Sequence, residues 1–172
     1  TMARMLEQSI NTAVAQIGIK LGKEHFYKKI RDLGFGDSTE IGLAGESGGI
    51  VRNPSRWYSP DIAMMTFGQS IAITPIQLCS AYIALSNGGV LIKPQLIKKI
   101  ENIDSTFVKI ARREEIRNAI SPKASADTIK LMESVVLKGS GRKAQIPGFT
   151  VGGKTGTAQK AVAGGYSKGS FV

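Results

Sequence analysis

The sequence contains one cysteine and one histidine, and this scarcity excludes several kinds of site. A single thiol cannot form an internal disulfide, and the two residues are too few soft ligands for a dedicated zinc or haem site. Cys79 lies among apolar residues, so we expect it to be a small, buried core residue rather than a reactive thiol. Aromatic residues make up only 6% of the chain, but 42% of its residues are hydrophobic, which can supply a core.

Long apolar runs and simple repeats are also absent. No run of about 18 apolar residues occurs, so the sequence predicts no membrane-spanning helix. The first residues lack the basic start and apolar stretch of a signal peptide. With no internal repeat and no low-complexity linker, we predict one domain over residues 1–172. Because the sequence opens inside a helical pattern and closes on Ser170-Phe171-Val172, like an unfinished strand, we expect it to be a fragment.

Positive charge is plentiful, but no block of it stands out. The net charge is +10, and the lysines and arginines are spread along the whole length. Such a field favours anionic partners: nucleic acid, an acidic membrane surface or an anionic polymer. Spread charge is more typical of a solvated surface, and we favour that interpretation.

Helical periodicity dominates the first 33 residues. Residues 2–8 have the pattern of a helix end, a second helix is predicted from Thr12 to its stop at Gly22, and a third over residues 23–33. Ser9 and Asn11 therefore lie at a helix–helix junction, where each is a suitable N-cap for the second helix.

A further helix is predicted after Thr74-Pro75-Ile76-Gln77, because Thr is a good N-cap, Pro suits the first helical position and Gln completes a capping box. It ends at Asn87-Gly88-Gly89. This helix is apolar nearly all round, so we expect it to be buried in the core.

Short strands and one more helix are predicted in the second half of the chain. Leu91–Ile100 and Thr106–Ile110 have the pattern of a surface hairpin, and Arg112–Arg117 that of a solvated turn. A helix follows Pro122 and Ser125 and runs up to Lys138. Helices and a mainly antiparallel sheet together indicate an α+β fold.

The stretch from Val151 to Gln159, Val-Gly-Gly-Lys-Thr-Gly-Thr-Ala-Gln, combines a cation, two hydroxyls and three glycines. Phe149 and Val151 alternate with smaller residues, which predicts a strand with one apolar face. A lysine, two threonines and a bare strand edge would suit a substrate that ends in a carboxylate.

Two other motifs lie in or just before this region. Gly148 to Thr155 fits the phosphate-loop pattern G-x-x-x-x-G-K-[ST], but that pattern works only between a buried strand and a helix, and the flanking residues predict neither. Ser140 to Lys143 fits S-x-x-K, the nucleophile motif of serine acyl-enzymes. That motif needs a helical turn, and glycines on both sides of Ser140 argue against one.

Ser9-x-Asn11 together with Lys154-Thr155-Gly156 resembles two of the three motifs, S-x-N and K-T-G, of the penicillin-binding and β-lactamase superfamily. Several segments stand in the order found in class B penicillin-binding proteins: Gly34-Phe-Gly, Leu43-Ala-Gly-Glu-Ser-Gly-Gly49, Thr66-Phe-Gly-Gln69, Thr74-Pro-Ile-Gln77, Asn87-Gly-Gly89 and Gly152 to Gln159. The resemblance covers essentially the whole chain and is strongest to division-specific (septal) transpeptidases. It implies a β-lactamase/transpeptidase-like α/β sandwich, an antiparallel sheet with helices on both faces.

The resemblance implies catalytic roles for four residues: Ser9, Asn11, Lys154 and, through its backbone N–H, Thr157. These enzymes cross-link peptidoglycan by attack of the S-x-x-K serine on a D-Ala–D-Ala bond, and penicillins mimic that dipeptide. Ser9 matches the serine that relays protons to the leaving amine, since a hydroxyl can donate and accept. Asn11 matches the asparagine that holds the substrate backbone and the nucleophile's lysine. Lys154 would hydrogen-bond Ser9 and add positive potential.

Thr155, Gly156 and Thr157 would bind the substrate. Thr155, together with Thr157, would bind the terminal carboxylate, and Gly156 would keep the strand edge bare. The backbone N–H of Thr157 would form half of the oxyanion hole, the other half being the nucleophile's own N–H. No metal or organic cofactor is required.

In the family S-x-x-K lies upstream of S-x-N, and only eight residues precede Ser9 here. We therefore expect a partial transpeptidase domain that lacks the nucleophile, its central helix and the final strands, and that is inactive alone and exposes apolar surface. The family implies stem peptides, β-lactams and divisome proteins such as a glycosyltransferase as partners, and no nucleic acid. It also implies an N-terminal membrane anchor and an extracytoplasmic, periplasmic location. An elongation-specific enzyme, a β-lactam sensor or β-lactamase-like hydrolase, and a nucleotide or nucleic-acid binder are the alternatives.

Overall fold

Helices and short antiparallel strands make up the chain in a computed structural model, which describes residues 1–104, 107–162 and 165–171. Its helices are α1 (Met2–Glu7), α2 (Asn11–Leu21), α3 (Lys23–Asp32), α4 (Asp61–Met65), α5 (Pro75–Ser86) and α6 (Pro122–Lys138). Its strands are β1 (Val90–Ile92), β2 (Lys99–Glu101), β3 (Phe107–Ile110), β4 (Glu115–Asn118), β5 (Gln159–Val162) and β6 (Gly165–Phe171). Pairing between the described strands is antiparallel throughout, as predicted. None of the helices in these residues is both long and apolar enough to cross a bilayer.

The chain separates into two compact units, each assembled from segments that are distant in sequence. Unit 1 contains Thr1–Lys28, Arg52–Ala72 and Ala126–Val172, and unit 2 contains Lys29–Val51 and Ile73–Ser125. All the residues that the sequence assigns to a catalytic or binding role belong to unit 1.

Close backbone approaches hold unit 1 together. Gly18 is buried in α2, and a Cβ placed there would lie 2.3 Å from the Thr66 Cγ2 atom, just after α4. Val135 and Val136, on α6, are almost completely buried. Gly139, directly after α6, lies against the end of α1, where a Cβ would come within 2.5 Å of the Glu7 carbonyl oxygen. The Gly139 contact fixes the ends of α1 and α6 beside each other, and the Gly18 contact packs α2 against the end of α4.

The capping box predicted for α5, in unit 2, is confirmed. The Thr74 hydroxyl accepts from the Gln77 N–H, the Gln77 side chain accepts from the Thr74 N–H, and Pro75 is the first helical residue. A buried hydrophobic cluster joins Ala84 to the first strand, β1, through Leu91.

The prediction that α5 is buried all round is wrong. Its buried face consists of small or polar residues, namely Gln77, Ser80, Ala81 and Ala84. Its larger apolar side chains are partly exposed: Leu78 42%, Tyr82 37% and Ile83 40%. Cys79 is likewise exposed. Small side chains allow the close approach of neighbouring backbone, so they, rather than the bulkier residues, face the interior.

The strands of unit 2 also differ from the prediction. β2 pairs with β3 as the expected hairpin, with Lys99 opposite Ile110. β1 pairs instead with β4, where Val90 faces Asn118 and Leu91 faces Arg117. The charged stretch that was predicted to be a solvated turn therefore contains a strand. Its side chains are exposed, so the sequence offered no apolar alternation to reveal it.

Candidate active site

Ser9 lies in the three-residue connection between α1 and α2. Its φ is +51°, in the left-handed region that few residues other than glycine adopt. Backbone hydrogen bonds from Ser9 to Leu6 and from Ile10 to Met5 close this turn. Strained backbone of this kind is often found at functional sites. The prediction that Ser9 or Asn11 caps α2 is wrong, because Ile10 occupies the cap position and Asn11 is the first helical residue.

Lys154 joins the two sequence motifs. Its Nζ atom donates to the Ser9 hydroxyl at 2.8 Å, to the Thr155 carbonyl oxygen at 2.9 Å and to the Thr155 hydroxyl at 3.3 Å. An ammonium group has three N–H donors, so these three acceptors satisfy it completely. Partial burial lowers the pKa of Lys154, since loss of water disfavours the charged form. The arrangement suits proton exchange between an amine and a hydroxyl.

The Lys-Thr-Gly segment is held by a helix and not by a sheet. The prediction of a strand around Phe149 and Val151 is wrong: residues 149–158 have no regular secondary structure, and Phe149 is 75% exposed. The Gly153 N–H donates to the Met132 carbonyl of α6 at 3.2 Å. Glycine at position 152 permits this approach, because a Cβ there would lie 3.3 Å from the Glu133 nitrogen.

The phosphate-loop interpretation lacks both of its structural supports. Residues 145–158 contain no strand or helix, and the next regular element in the described part of the chain is the strand β5. Between Lys154 and β5 no helix begins, so no helix N-terminus lies there to hold phosphates.

Ser140, whose flanking glycines argue against a nucleophilic role, lies at the site. Its hydroxyl is 2.9 Å from the Thr155 hydroxyl. It precedes the 3-10 turn Arg142–Ala144, so Ser140 is not on a helical turn with Lys143. The sequence signal for Ser140 was its place in Gly139-Ser140-Gly141, which marks a tight turn but does not indicate what the turn contacts.

The residues predicted from sequence line one cleft in unit 1. The cleft has a volume of about 420 Å³ and is bounded on one side by Ser9, Asn11 and Val14 and on the other by residues 154–157. Thr66 and Phe67 complete its wall. Ser9, Lys154 and Thr155 are directly hydrogen-bonded, whereas Asn11, Gly156 and Thr157 share only the cleft.

A larger cavity, about 690 Å³, lies in unit 2. Its walls are mainly apolar, with Leu43, Leu96, Ile97, Ile100 and Ile110 among them, and it contains none of the predicted site residues. Chemistry rather than size therefore identifies the candidate site. Within the described residues, no cluster of His, Cys, Asp or Glu could hold a metal ion.

Comparison with known proteins decides the family. Residues 1–172 match the family described as "Penicillin binding protein transpeptidase domain". The chain belongs to this transpeptidase family. The resemblance inferred from the motifs is thus confirmed.

Two relatives are similar over nearly the whole chain. The chain is 38% identical to stage V sporulation protein D of Bacillus subtilis (strain 168), over 100% of this chain and 27% of that protein. It is 32% identical to the probable peptidoglycan D,D-transpeptidase PenA of Neisseria gonorrhoeae, over 98% of this chain and 27% of that protein. This transpeptidase chain thus spans about a quarter of the length of these relatives.

Solved structures confirm the transpeptidase-like fold. The crystal structure of penicillin-binding protein 3 from Mycobacterium tuberculosis, complexed with aztreonam, superimposes with a TM-score of 0.86 at 28% identity. The superposition covers 100% of this chain and 39% of that one. Its ampicillin complex gives a TM-score of 0.87 at the same 28% identity.

Proposed function

We propose that the longer protein to which this chain belongs is a serine-type D,D-transpeptidase that cross-links peptidoglycan and is acylated by penicillins. The hydrogen bonds of Lys154 to Ser9 and Thr155 at one cleft carry this proposal. These hydrogen bonds place a hydroxyl that can relay protons next to a cationic, hydroxyl-lined site that suits a carboxylate. A stem peptide that ends in D-Ala–D-Ala matches both features, because it has a scissile amide and a terminal carboxylate.

The first half-reaction is acyl transfer to a serine. We place this serine and the lysine of S-x-x-K upstream of Ser9, in the order that the family implies. The serine hydroxyl loses its proton to this lysine, attacks the carbonyl of the penultimate D-alanine and forms a tetrahedral oxyanion. Collapse of this intermediate breaks the amide bond, releases D-alanine and leaves the acyl group as an ester of the serine. An amine of a neighbouring strand then attacks this ester and loses a proton as the new amide bond forms, while the ester C–O bond breaks and the serine oxygen regains its proton.

The chain's own residues handle protons and charge in these steps. Ser9 passes a proton to the leaving nitrogen, and Lys154 keeps the Ser9 hydroxyl oriented for this transfer. Lys154 and Thr155 attract the terminal carboxylate, and Asn11 holds the peptide backbone. The Thr157 N–H contributes to the oxyanion hole, where one well-placed donor is worth about 10²- to 10³-fold in rate.

The cellular role and surroundings are proposed from what the family implies. We propose septal division as the setting, with a divisome glycosyltransferase as a partner and the domain held at the outer face of the cell membrane by an anchor elsewhere in the protein. Elongation of the cell wall is the alternative. Because one relative is named for stage V of sporulation, synthesis of wall during sporulation is a second candidate. A β-lactam sensor or hydrolase would share the cleft but would not cross-link stem peptides.

The decisive experiment is intact-mass spectrometry after incubation with benzylpenicillin. We expect the full-length protein to gain the mass of one penicillin, and Lys154→Ala to lose this adduct or form it far more slowly. We expect no adduct on the 172-residue chain alone.

Each departure from this result has a distinct meaning. Acylation of the short chain would show that Ser140 or Ser9 is a nucleophile, contrary to the proposal. A folded full-length protein that forms no adduct would exclude penicillin-sensitive transpeptidase chemistry. Rapid release of the adduct, without transfer to an acceptor amine, would favour a hydrolase.

A further inference from the structure

The turn Gly139-Ser140-Gly141 is firmly held at the end of α6. The Ser140 N–H donates to the Glu7 carbonyl at 2.8 Å, and the N–H groups of Gly139 and Gly141 donate to the Val135 carbonyl at 3.0 and 3.1 Å. Gly141 is buried, and both glycines lie too near other atoms for a side chain to be added without a shift. Ser140 is therefore fixed in place by its backbone, while its side chain remains exposed.

The Ser140 hydroxyl meets the Thr155 hydroxyl, which Lys154 also contacts. Thr155 Oγ1 lies 2.9 Å from Ser140 Oγ and 3.3 Å from Lys154 Nζ. A hydroxyl has two acceptor lone pairs and one proton to donate. The ammonium can only donate, so it occupies one lone pair of Thr155 Oγ1.

The second lone pair decides where the Thr155 proton points. If Ser140 donates to it, both lone pairs are occupied and the Thr155 proton is left for an acceptor in the cleft. If Ser140 accepts instead, the Thr155 hydroxyl donates its proton to Ser140 and has none left for an acceptor in the cleft. An anion in the cleft favours the first arrangement, and the chain of donors from Ser140 through Thr155 to the anion is mutually polarising.

We infer that Ser140 is a positioning residue, which holds the Thr155 hydroxyl with its proton directed at the substrate carboxylate. This inference rests on the proposed function, because it assigns Thr155 to carboxylate binding. Ser140 itself acts only through Thr155 and does not touch the reacting carbonyl.

The first test compares benzylpenicillin with its methyl ester, which has no carboxylate, on the full-length protein. For Ser140→Ala we expect the ratio of the acylation rate constants, acid over ester, to fall about 3- to 10-fold, the range for loss of one hydrogen bond. Ser140→Thr keeps a hydroxyl and should restore the ratio. Ser59→Ala removes another exposed serine hydroxyl of unit 1, outside the cleft, and should leave the ratio unchanged.

A double-mutant cycle separates positioning from a general structural effect. In a Thr155→Ala background, Ser140→Ala should have no further effect on the acid-to-ester ratio. A ratio that does not change in Ser140→Ala, or an equal loss in both backgrounds, overturns the inference while leaving the proposed function intact.

Crystal structures supply a readout that does not depend on reactivity. We expect one Thr155 rotamer in the wild type and Ser140→Thr, and a rotated or second Thr155 rotamer in Ser140→Ala. A single, unchanged rotamer in Ser140→Ala overturns the inference. If the wild type formed no penicillin adduct, the proposed function would fail, and the Thr155 rotamers would still decide whether Ser140 positions Thr155.

Discussion

Lys154 Nζ lies 2.8 Å from the Ser9 hydroxyl, although 145 positions separate the two residues in the chain. Ser9 lies in a left-handed turn between two helices, and Lys154 lies in an irregular segment that is held against α6. Three separate segments of unit 1 must therefore pack correctly before this hydrogen bond can form. The bond is consequently a sensitive measure of whether the site is assembled.

The titration of Lys154 should differ from that of an ordinary lysine. Burial lowers the pKa of Lys154 from its usual 10.5. In protein labelled with ¹³C at the lysine ε-carbon, we expect the Lys154 signal, assigned by its absence in Lys154→Ala, to titrate below 10.5. A titration at or above 10.5 would contradict the partial burial of this amine.

The same lowered pKa predicts a dependence of stability on pH. Between the lowered pKa and 10.5, the unfolded chain retains a proton that the folded protein has lost. The free energy of unfolding should therefore rise with pH across this interval. Lys154→Met should reduce that rise, which urea unfolding at several pH values would measure.

Alanine substitution should affect acylation at Gly156 and stability at Gly139. No atom lies within 4 Å of a Cβ placed at Gly156, so Gly156→Ala should change the free energy of unfolding by no more than about 0.5 kcal/mol. If a substrate lies along this segment, the added methyl group should displace it and slow penicillin acylation about 10- to 100-fold. Normal acylation of folded Gly156→Ala would exclude this role.

Gly139→Ala is the matched comparison. A Cβ at Gly139 would lie 2.5 Å from the Glu7 carbonyl oxygen and 2.7 Å from the Glu7 Cα. Because both are backbone atoms, α1 and α6 would have to move apart, at a cost of about 1–3 kcal/mol. We expect a lower thermal midpoint for Gly139→Ala and an almost unchanged one for Gly156→Ala.

Local signals in the sequence predicted much of this structure. The capping box of Thr74 and Gln77 is a contact between residues three positions apart, so it depends little on the rest of the fold. The cluster of Ser9, Lys154 and Thr155 was accessible only through the resemblance to a family. Periodicity alone does not bring together residues that are so far apart in sequence.

Other features depended on packing that local patterns do not encode. Hydrophobicity indicated that all of α5 is buried, but Gln77 and Ser80 are buried while Leu78 is exposed. The glycines on both sides of Ser140 argue against a nucleophilic role but do not show what its hydroxyl contacts. Its contact with Thr155 arises because the turn after α6 lies beside the Lys-Thr-Gly segment, which its sequence does not indicate.

Replacing the buried Gln77 should destabilise unit 2. Its Nε2 group donates to the carbonyls of Asp37 and Gly48 at 2.7 and 2.8 Å, and its Oε1 atom accepts from the Thr74 N–H. Gln77→Ala leaves these three groups without their partner, for which we expect a loss of about 2–4 kcal/mol in the free energy of unfolding. Urea unfolding would measure the loss, and a change below about 0.5 kcal/mol would contradict the assigned hydrogen bonds.

Gln95→Ala is the control for this prediction. Gln95 also donates its side-chain amide to a carbonyl, that of Arg112, at 2.7 Å, but it is exposed. Water can replace an exposed hydrogen bond, so we expect a change within about 0.5 kcal/mol.

Acid should loosen the loop of unit 2 that contains Glu46. Hydrogen bonds from the hydroxyls of Ser38 and Thr39, and from the Thr39 N–H, lower the pKa of Glu46 from 4.5 to about 2. The stabilisation by Glu46 is therefore complete above pH 4.5 and is lost as the pH falls from 4.5 towards about 2, where the folded protein must also take up the proton.

Hydrogen exchange of the Thr39 amide, corrected for its intrinsic rate, should show protection that declines over this range. In Glu46→Gln we expect weaker protection that does not change with pH in this range. In Ser38→Ala the decline should begin at higher pH, because the hydrogen bond that lowers the pKa most is gone. Equal profiles for the wild type and Glu46→Gln would show that this carboxylate does not hold the loop.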